Sequence, residues 1–301
     1  MKRVVSVSLG SSRRDSRLTR EFAGESFIVE RIGTDGSKAK AIDLIRRLDG
    51  KVDAFGLGGT DLYIYAGERR FTFRESAEIA AAAKITPIVD GSGIKNTLER
   101  RLISYLEKDR GFDFHNLPVL LVCGVDRFGL ADALVAAGAK VVFGDLLYGL
   151  GLPVPISRIS TLAALARVVA PIITQMPIKW FYPVGEKQTQ TTPRYTRYFD
   201  ESAVIAGDFH FIRRFMPPLL TGKIILTNTV TEEDEQMLRS AGAVTLVTST
   251  PEMGGRSFGT NVLEAIVVAL AGRKPEDISR EAYQEILDKL NINPRVQDLQ
   301  S

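Results

Sequence analysis

Three glycine-bearing turns hold most of the side chains that could do chemistry. The first is Val119-Leu-Leu-Val-Cys-Gly-Val-Asp-Arg-Phe-Gly129, followed at helix length by Val141-Val-Phe-Gly-Asp145. In a dinucleotide-binding βα unit a strand enters a tight glycine turn and the next helix aims its first N–H groups at phosphate. An acidic residue about 20 positions on then takes the ribose hydroxyl. Gly124 and Gly129 occupy the first and third glycine positions, and Asp145 stands 21 residues after Gly124. Asp126 replaces the middle glycine, with Arg127 and Phe128 beside it. A carboxylate there repels pyrophosphate unless Arg127 neutralises it or Asp126 points away. The expected cofactor set is Gly124, Asp126, Arg127, Phe128, Gly129 and Asp145, with Thr227 and Asn228 at a later strand end. A tight βα turn with no ligand meets the same spacing.

The second turn is Thr86-Pro-Ile-Val-Asp-Gly-Ser-Gly-Ile-Lys-Asn-Thr97. Free N–H groups at its glycines, with Lys95, Asn96 and Thr97, suit a phosphate or carboxylate; capping by Ser92 or Asp90 explains the pattern equally. The third, Gly254-Gly-Arg-Ser-Phe-Gly-Thr-Asn261, leads into a helix in the same way. Ser92, Gly93, Asn96, Thr97, Asp208, Arg256, Ser257 and Asn261 are the expected substrate-binding residues. His210 is either a proton carrier near Asp208 or a packed histidine between Phe209 and Phe211.

These turns need strands and helices to hold them. Val4–Leu9, Phe27–Ile32 and Val52–Leu57 read as strands, Lys38–Leu48 as a helix stopped by Asp49-Gly50, and Leu62–Phe73 as a hairpin. Helices are expected at Glu75–Ala83 and Lys95–Lys108. From Pro118 short apolar strands (Val119–Cys123, Lys140–Phe143, Ala203–Ala206, Lys223–Leu226, Val244–Val247) alternate with helices, which predicts a covered parallel sheet. The fold class expected is α/β: a Rossmann-like parallel sheet domain over 116–273, preceded by a smaller α/β domain over 1–115. A C-terminal helix and loose tail fill 274–301. The polar stretch Pro183–Arg197 reads as a loop.

With 39 basic and 36 acidic residues the net charge is +3. The arginine pairs are scattered, and nucleic-acid binding would want a concentrated basic face. One cysteine and two well-separated histidines give no disulfide and no metal spacing. No apolar run reaches the roughly 18 residues of a membrane span, so a cytoplasmic protein is expected, and homodimerisation is compatible with it.

The strings Asp90-Gly-Ser-Gly-Ile-Lys-Asn-Thr-Leu-Glu-Arg-Arg101, Phe143-Gly-Asp-Leu-Leu-Tyr-Gly-Leu-Gly-Leu-Pro153 and Gly255-Arg-Ser-Phe-Gly-Thr-Asn-Val-Leu-Glu-Ala265 resemble bacterial quinate or shikimate 5-dehydrogenases. The resemblance implies a substrate domain and a nucleotide domain around a cleft, with Lys95 and Asp61 or Asp90 as catalytic lysine and aspartate. It departs from that family at Leu98, where an aspartate follows Asn-Thr, and at the cofactor turn. Two readings follow. One is an NAD- or NADP-dependent oxidoreductase acting on a small hydroxylated carboxylic acid. The other is a non-catalytic protein that senses a small anionic metabolite or nucleotide in the same cleft. A methyltransferase is a third.

Overall fold

The computed structural model describes residues 1–66, 69–177, 191–228, 230–250 and 259–300; the side chains of Ala66, Asn96 and Arg280 lie outside the description. Of the polar stretch 183–197, only 191–197 is described.

The first sheet grows around β1 (Lys2–Ser8), whose Val4, Val5 and Val7 are fully buried. β2 (Ser16–Phe22) and β3 (Glu25–Gly33) form a hairpin that turns at Ala23 and Gly24, with φ of 50° and 81°. Left-handed residues at both turn positions match the twist of the flanking strands. Ser37 caps α1 (Lys38–Leu48), which leads to β4 (Ala54–Gly58). A separate ribbon of β5 (Tyr63–Ala66) and β6 (Arg69–Thr72) follows, then α2 (Arg74–Ala80) and β7 (Ile88–Val89). The five-stranded order is β2-β3-β1-β4-β7, parallel except at β2.

The long helix α3 (Ser92–Arg110) carries the chain to the second sheet. There follow β8 (Pro118–Leu121), α4 (Phe128–Ala136), β9 (Lys140–Phe143), a π-helical turn at Asp145–Gly149 and α5 (Ile159–Ile173). Next come α6 (Arg197–Glu201), β10 (Val204–Ala206), α7 (Phe209–Phe215), β11 (Ile224–Thr227), α8 (Glu232–Ser240) and β12 (Thr245–Thr248). β8 to β12 form one parallel sheet in the order β12-β11-β10-β8-β9. The fold is thus α/β with the Rossmann-like parallel sheet expected. Counted in chain order these strands read 2-1-3-4-5, a doubly wound arrangement whose crevice lies where the order reverses, between β8 and β10.

Three features depart from the sequence reading. α9 (Thr260–Ala271), expected with the second sheet, packs on β1 and β4 of the first. Every residue from Val262 to Ala269 is buried, so this helix needs cover all round rather than along one stripe. Gly56 admits it, since a Cβ there would lie 2.8 Å from the Asn261 carbonyl oxygen. The expected C-terminal helix is α10 (Arg280–Lys289), packed through Tyr283 and Leu287 into the α9 core, but the expected loose tail after it is β13 (Arg295–Asp298), which pairs antiparallel with β12. An Arg295–Glu235 ion pair at 2.6 Å and a 2.7 Å bond from Arg239 to the Leu299 carbonyl fix that end. Finally, α7 stops at Phe215 rather than near Leu220, because Pro217 disfavours the helical conformation at Met216.

The chain therefore passes between the halves at α3, α9 and β13. The β5–β6 ribbon adds another tie: Ile64 and Phe73 pack on Ala170 of α5, and Arg74 N–H donates to the Thr174 carbonyl at 2.9 Å.

Candidate functional site

At the crevice, the turn after β8 supplies Asp126 and Arg127, and the turn after β10 supplies Asp208. Arg127 is buried, with a side chain only 5% exposed. Its Nη1 donates to Glu99 Oε1 at 2.6 Å and its Nη2 to Asp208 Oδ2 at 3.0 Å. Its Nε lies 3.4 Å from Asp126 Oδ2. Asp208 also accepts from Asn228 Nδ2 at 2.8 Å and caps α7 through the His210 N–H at 2.9 Å. Lys95 Nζ donates to both oxygens of Asp126, at 2.8 and 3.0 Å. Lys95 and Glu99 stand one turn apart on α3, so one helix face delivers a cation and a carboxylate to the second sheet's crest. Within the cluster two cations, Lys95 and Arg127, face three carboxyls, Asp126, Glu99 and Asp208, so each cation has a partner.

Burial opposes the charge on each member, and the partners decide the outcome. For Lys95, burial and Arg127 act against the ammonium, but Asp126, Asp61 and Glu99 outweigh them and raise its pKa. Burial would raise Asp126, yet Lys95 and Arg127 hold it below the usual carboxylate range. Burial likewise works against Asp208, and His210, Arg127 and Lys95 bring it down to about 2. For Glu99 burial prevails over Arg127 and Lys95, and the carboxyl is pushed up.

Beside the Lys95–Asp126 pair is a cavity of about 20 Å³, room for a water molecule. Tyr63, Tyr65 and Ser92 line it from the first half, and Val125, Phe128 and Gly129 from the second.

Asp145 does not stand ready for a ribose. Its Oδ2 accepts the Gly124 N–H at 3.0 Å and its Oδ1 the Val125 N–H at 2.8 Å. Those are backbone donors on which a bound phosphate would draw. A Cβ on Gly124 would lie 2.9 Å from both Leu162 and Phe143, so the turn is closely packed on that side. Desolvation pushes the Asp145 carboxyl up to about 6 despite those two bonds. A pyrophosphate laid on this turn would meet the carboxylates of Asp126 and Asp145. The residues as arranged do not fit a dinucleotide.

The other expected residues divide. Asp90, expected to handle a proton, spends Oδ2 on the Leu62 and Tyr63 N–H groups at 2.5 and 3.1 Å and Oδ1 on the Ser92 N–H at 3.0 Å. It ties the β5–β6 ribbon to the start of α3. Asp61 contributes its charge to Lys95, and its carbonyl accepts from Ser76 at 2.8 Å. Thr227 donates to the Gly207 carbonyl at 2.8 Å. Gly93 lies against Glu264, and Thr97 is buried on α3. Asn261 donates to Ser6 Oγ at 2.8 Å, so its amide serves the contact of α9 with the first sheet. Asn96 lies on α3 with its side chain outside the description, and Arg256 and Ser257 lie outside the described residues.

The sequence reading missed four contributors. Glu99 had a usable signal, its i, i+4 spacing from Lys95. Tyr63 and Tyr65 read only as ribbon aromatics. Glu264 gave no signal beyond being an acid in an apolar helix. It is buried against the Gly91–Gly93 turn, its Oε1 accepts the Tyr283 hydroxyl at 3.2 Å, and its Oε2 has no partner among the described residues. Burial, then Asp90, pushes it up to about 8. Among the described residues no group of histidine, cysteine, aspartate and glutamate is placed to hold a metal, and no helix is long and apolar enough to cross a membrane.

Residues 93–299, more than half of the chain, match the family described as domain of unknown function DUF8754. The chain belongs to that family. Residues 3–90 match a second family of the same description, DUF8753. No curated protein matches the chain. Similar solved structures include the NAD-dependent malic enzyme of Thermotoga maritima, 14% identical, covering 94% of this chain and 74% of that one with a TM-score of 0.38. L-tryptophan dehydrogenase from Nostoc punctiforme is 12% identical over 96% and 80%, with a TM-score of 0.39. A sugar ABC transport substrate-binding protein from Bordetella parapertussis is 12% identical over 91% and 80%, with a TM-score of 0.37.

Proposed function

We propose that this protein binds a small hydroxylated carboxylic acid in the cleft between its two sheets, with Lys95 as the anchor for the ligand's carboxylate. The observation that carries this reading is the two-pronged Lys95–Asp126 bond beside a small cavity walled by both halves. A ligand carboxylate takes the place of Asp126 on Lys95 when the halves part, while Ser92 and the hydroxyls of Tyr63 and Tyr65 meet ligand hydroxyls. Because both cations of the cluster are already paired with carboxyls, exchanging one carboxylate for another costs less than admitting a phosphate dianion. The test is a thermal-shift panel of small hydroxy acids on the wild type and Lys95→Ala. A ligand at a hundredfold excess over its Kd stabilises by about 2.7 kcal/mol, and that gain should vanish in Lys95→Ala. A panel that leaves the wild type unmoved, or shifts both proteins equally, refutes the proposal.

A second reading, an NAD- or NADP-dependent oxidoreductase on the same acid, is favoured by one feature, the glycine turn after β8 at the order reversal. In it Lys95 would hold the substrate oxygen and Asp61 would sustain the lysine's charge, the redox chemistry being that which NAD or NADP would supply. It requires Asp145 to leave the turn. Acid-dependent appearance of reduced nicotinamide would decide for it.

A further inference from the structure

We propose that Asp145 is a built-in occupant of the anion nest at Gly124 and Val125, and that it holds this turn closed to phosphate-bearing ligands. The spacing that would make it a ribose ligand also brings it back onto the turn. The fold supplies the reach: β9 ends at Phe143, and Asp145 opens the π-helical turn Asp145–Gly149. The Gly144 N–H bonds the Leu121 carbonyl at 2.8 Å, so β9 stays registered on β8 up to the residue before Asp145. From there both carboxylate oxygens reach the two N–H groups, at 3.0 and 2.8 Å. This two-point geometry is that of a phosphate edge on successive amides. Leu162 and Phe143 fill the space a Cβ on Gly124 would need, and Tyr148 sits against Gly144, so the backbone on both sides of the contact is closely packed. Asp126 stands next along the turn, held in place by Lys95. An incoming phosphate would have to displace one carboxylate and tolerate another. The inference is independent of which small acid the cleft takes.

The test uses ADP as the phosphate probe, by calorimetry on the wild type, Asp145→Ala and Asp145→Asn, with circular dichroism as the check on folding. Asp145→Ala frees both N–H groups and removes one repelling charge, so it should bind ADP about tenfold or more tighter than the wild type. Asp145→Asn keeps the shape and one acceptor, and should fall between. A folded Asp145→Ala with no gain over the wild type would overturn the proposal. If that variant does not fold, the wild type still decides. Its Gly124 and Val125 amide resonances should follow the Asp145 titration near pH 6 and ignore added ADP. Resonances that move with ADP at fixed pH would mean that the nest is open.

Discussion

Arg127 is the residue on which the crevice depends, because it is buried and holds Glu99 and Asp208 together. Removing one member of a buried ion network leaves its partners desolvated without compensation, which costs about 3–5 kcal/mol. Arg127→Met should lose roughly that much in urea unfolding, and adding Glu99→Gln should restore part of it. A loss under about 1 kcal/mol would show that water already reaches the cluster. Glu264 makes a prediction about pH. Its carboxyl rises from an ordinary 4.5 to about 8 in the folded chain, so the native state holds a proton that the unfolded chain releases. The contribution is complete below the ordinary value and is lost as pH rises through the window up to about 8. Glu264→Gln, which cannot ionise, should flatten the decline of stability across that window. Parallel pH profiles for the two proteins would remove Glu264 as its source.

At the scale of elements, the start of α3 is where local conformation and packing coincide. Gly91 has φ of 95°, and a Cβ there would lie 2.5 Å from Thr260 Oγ1 and 2.6 Å from the Asn261 nitrogen. Gly91→Ala should therefore cost more than the roughly 1–2 kcal/mol of a left-handed alanine, because α9 must also move. A melting temperature close to that of the wild type would show that α9 is not seated there. Elements with a local cause were legible in the sequence. α1 follows from its apolar spacing, with Ser37 before it and Asp49-Gly50 after it, and β8 to β12 from short apolar runs between helix-length segments. What depends on distant partners was not. An apolar α9 announces that it needs cover but not which sheet provides it. The interval from Gly124 to Asp145 is the same whether the carboxylate turns outward to a ribose or back onto the turn. That Asp208 and Asn228 share an edge with Asp126 and Arg127 followed from strand ends of one sheet. Their pairing with Lys95 and Glu99 did not, because both arrive from α3.

At the scale of the whole molecule, the two sheets are bound by a chain that crosses between them more than once, and the last crossing is structural. Truncation after Gly272 removes Tyr283, Leu287 and Ile292 from the α9 core and uncovers the β12 edge that β13 pairs with. Such a chain should be insoluble or lose cooperative unfolding, since an unpaired edge and bare apolar surface favour aggregation. A soluble truncation with an unchanged unfolding midpoint would mean that α10 and β13 contribute little. The central claim concerns the cleft these crossings hold together. It is tested most directly by calorimetric titration of the wild-type chain, once with a panel of small hydroxylated carboxylic acids and once with NADH and NADPH. Heat on adding an acid, with none on adding either dinucleotide, is the result predicted from an already paired Lys95 and a glycine turn filled by Asp145. Saturable dinucleotide binding with no response to any acid would contradict it.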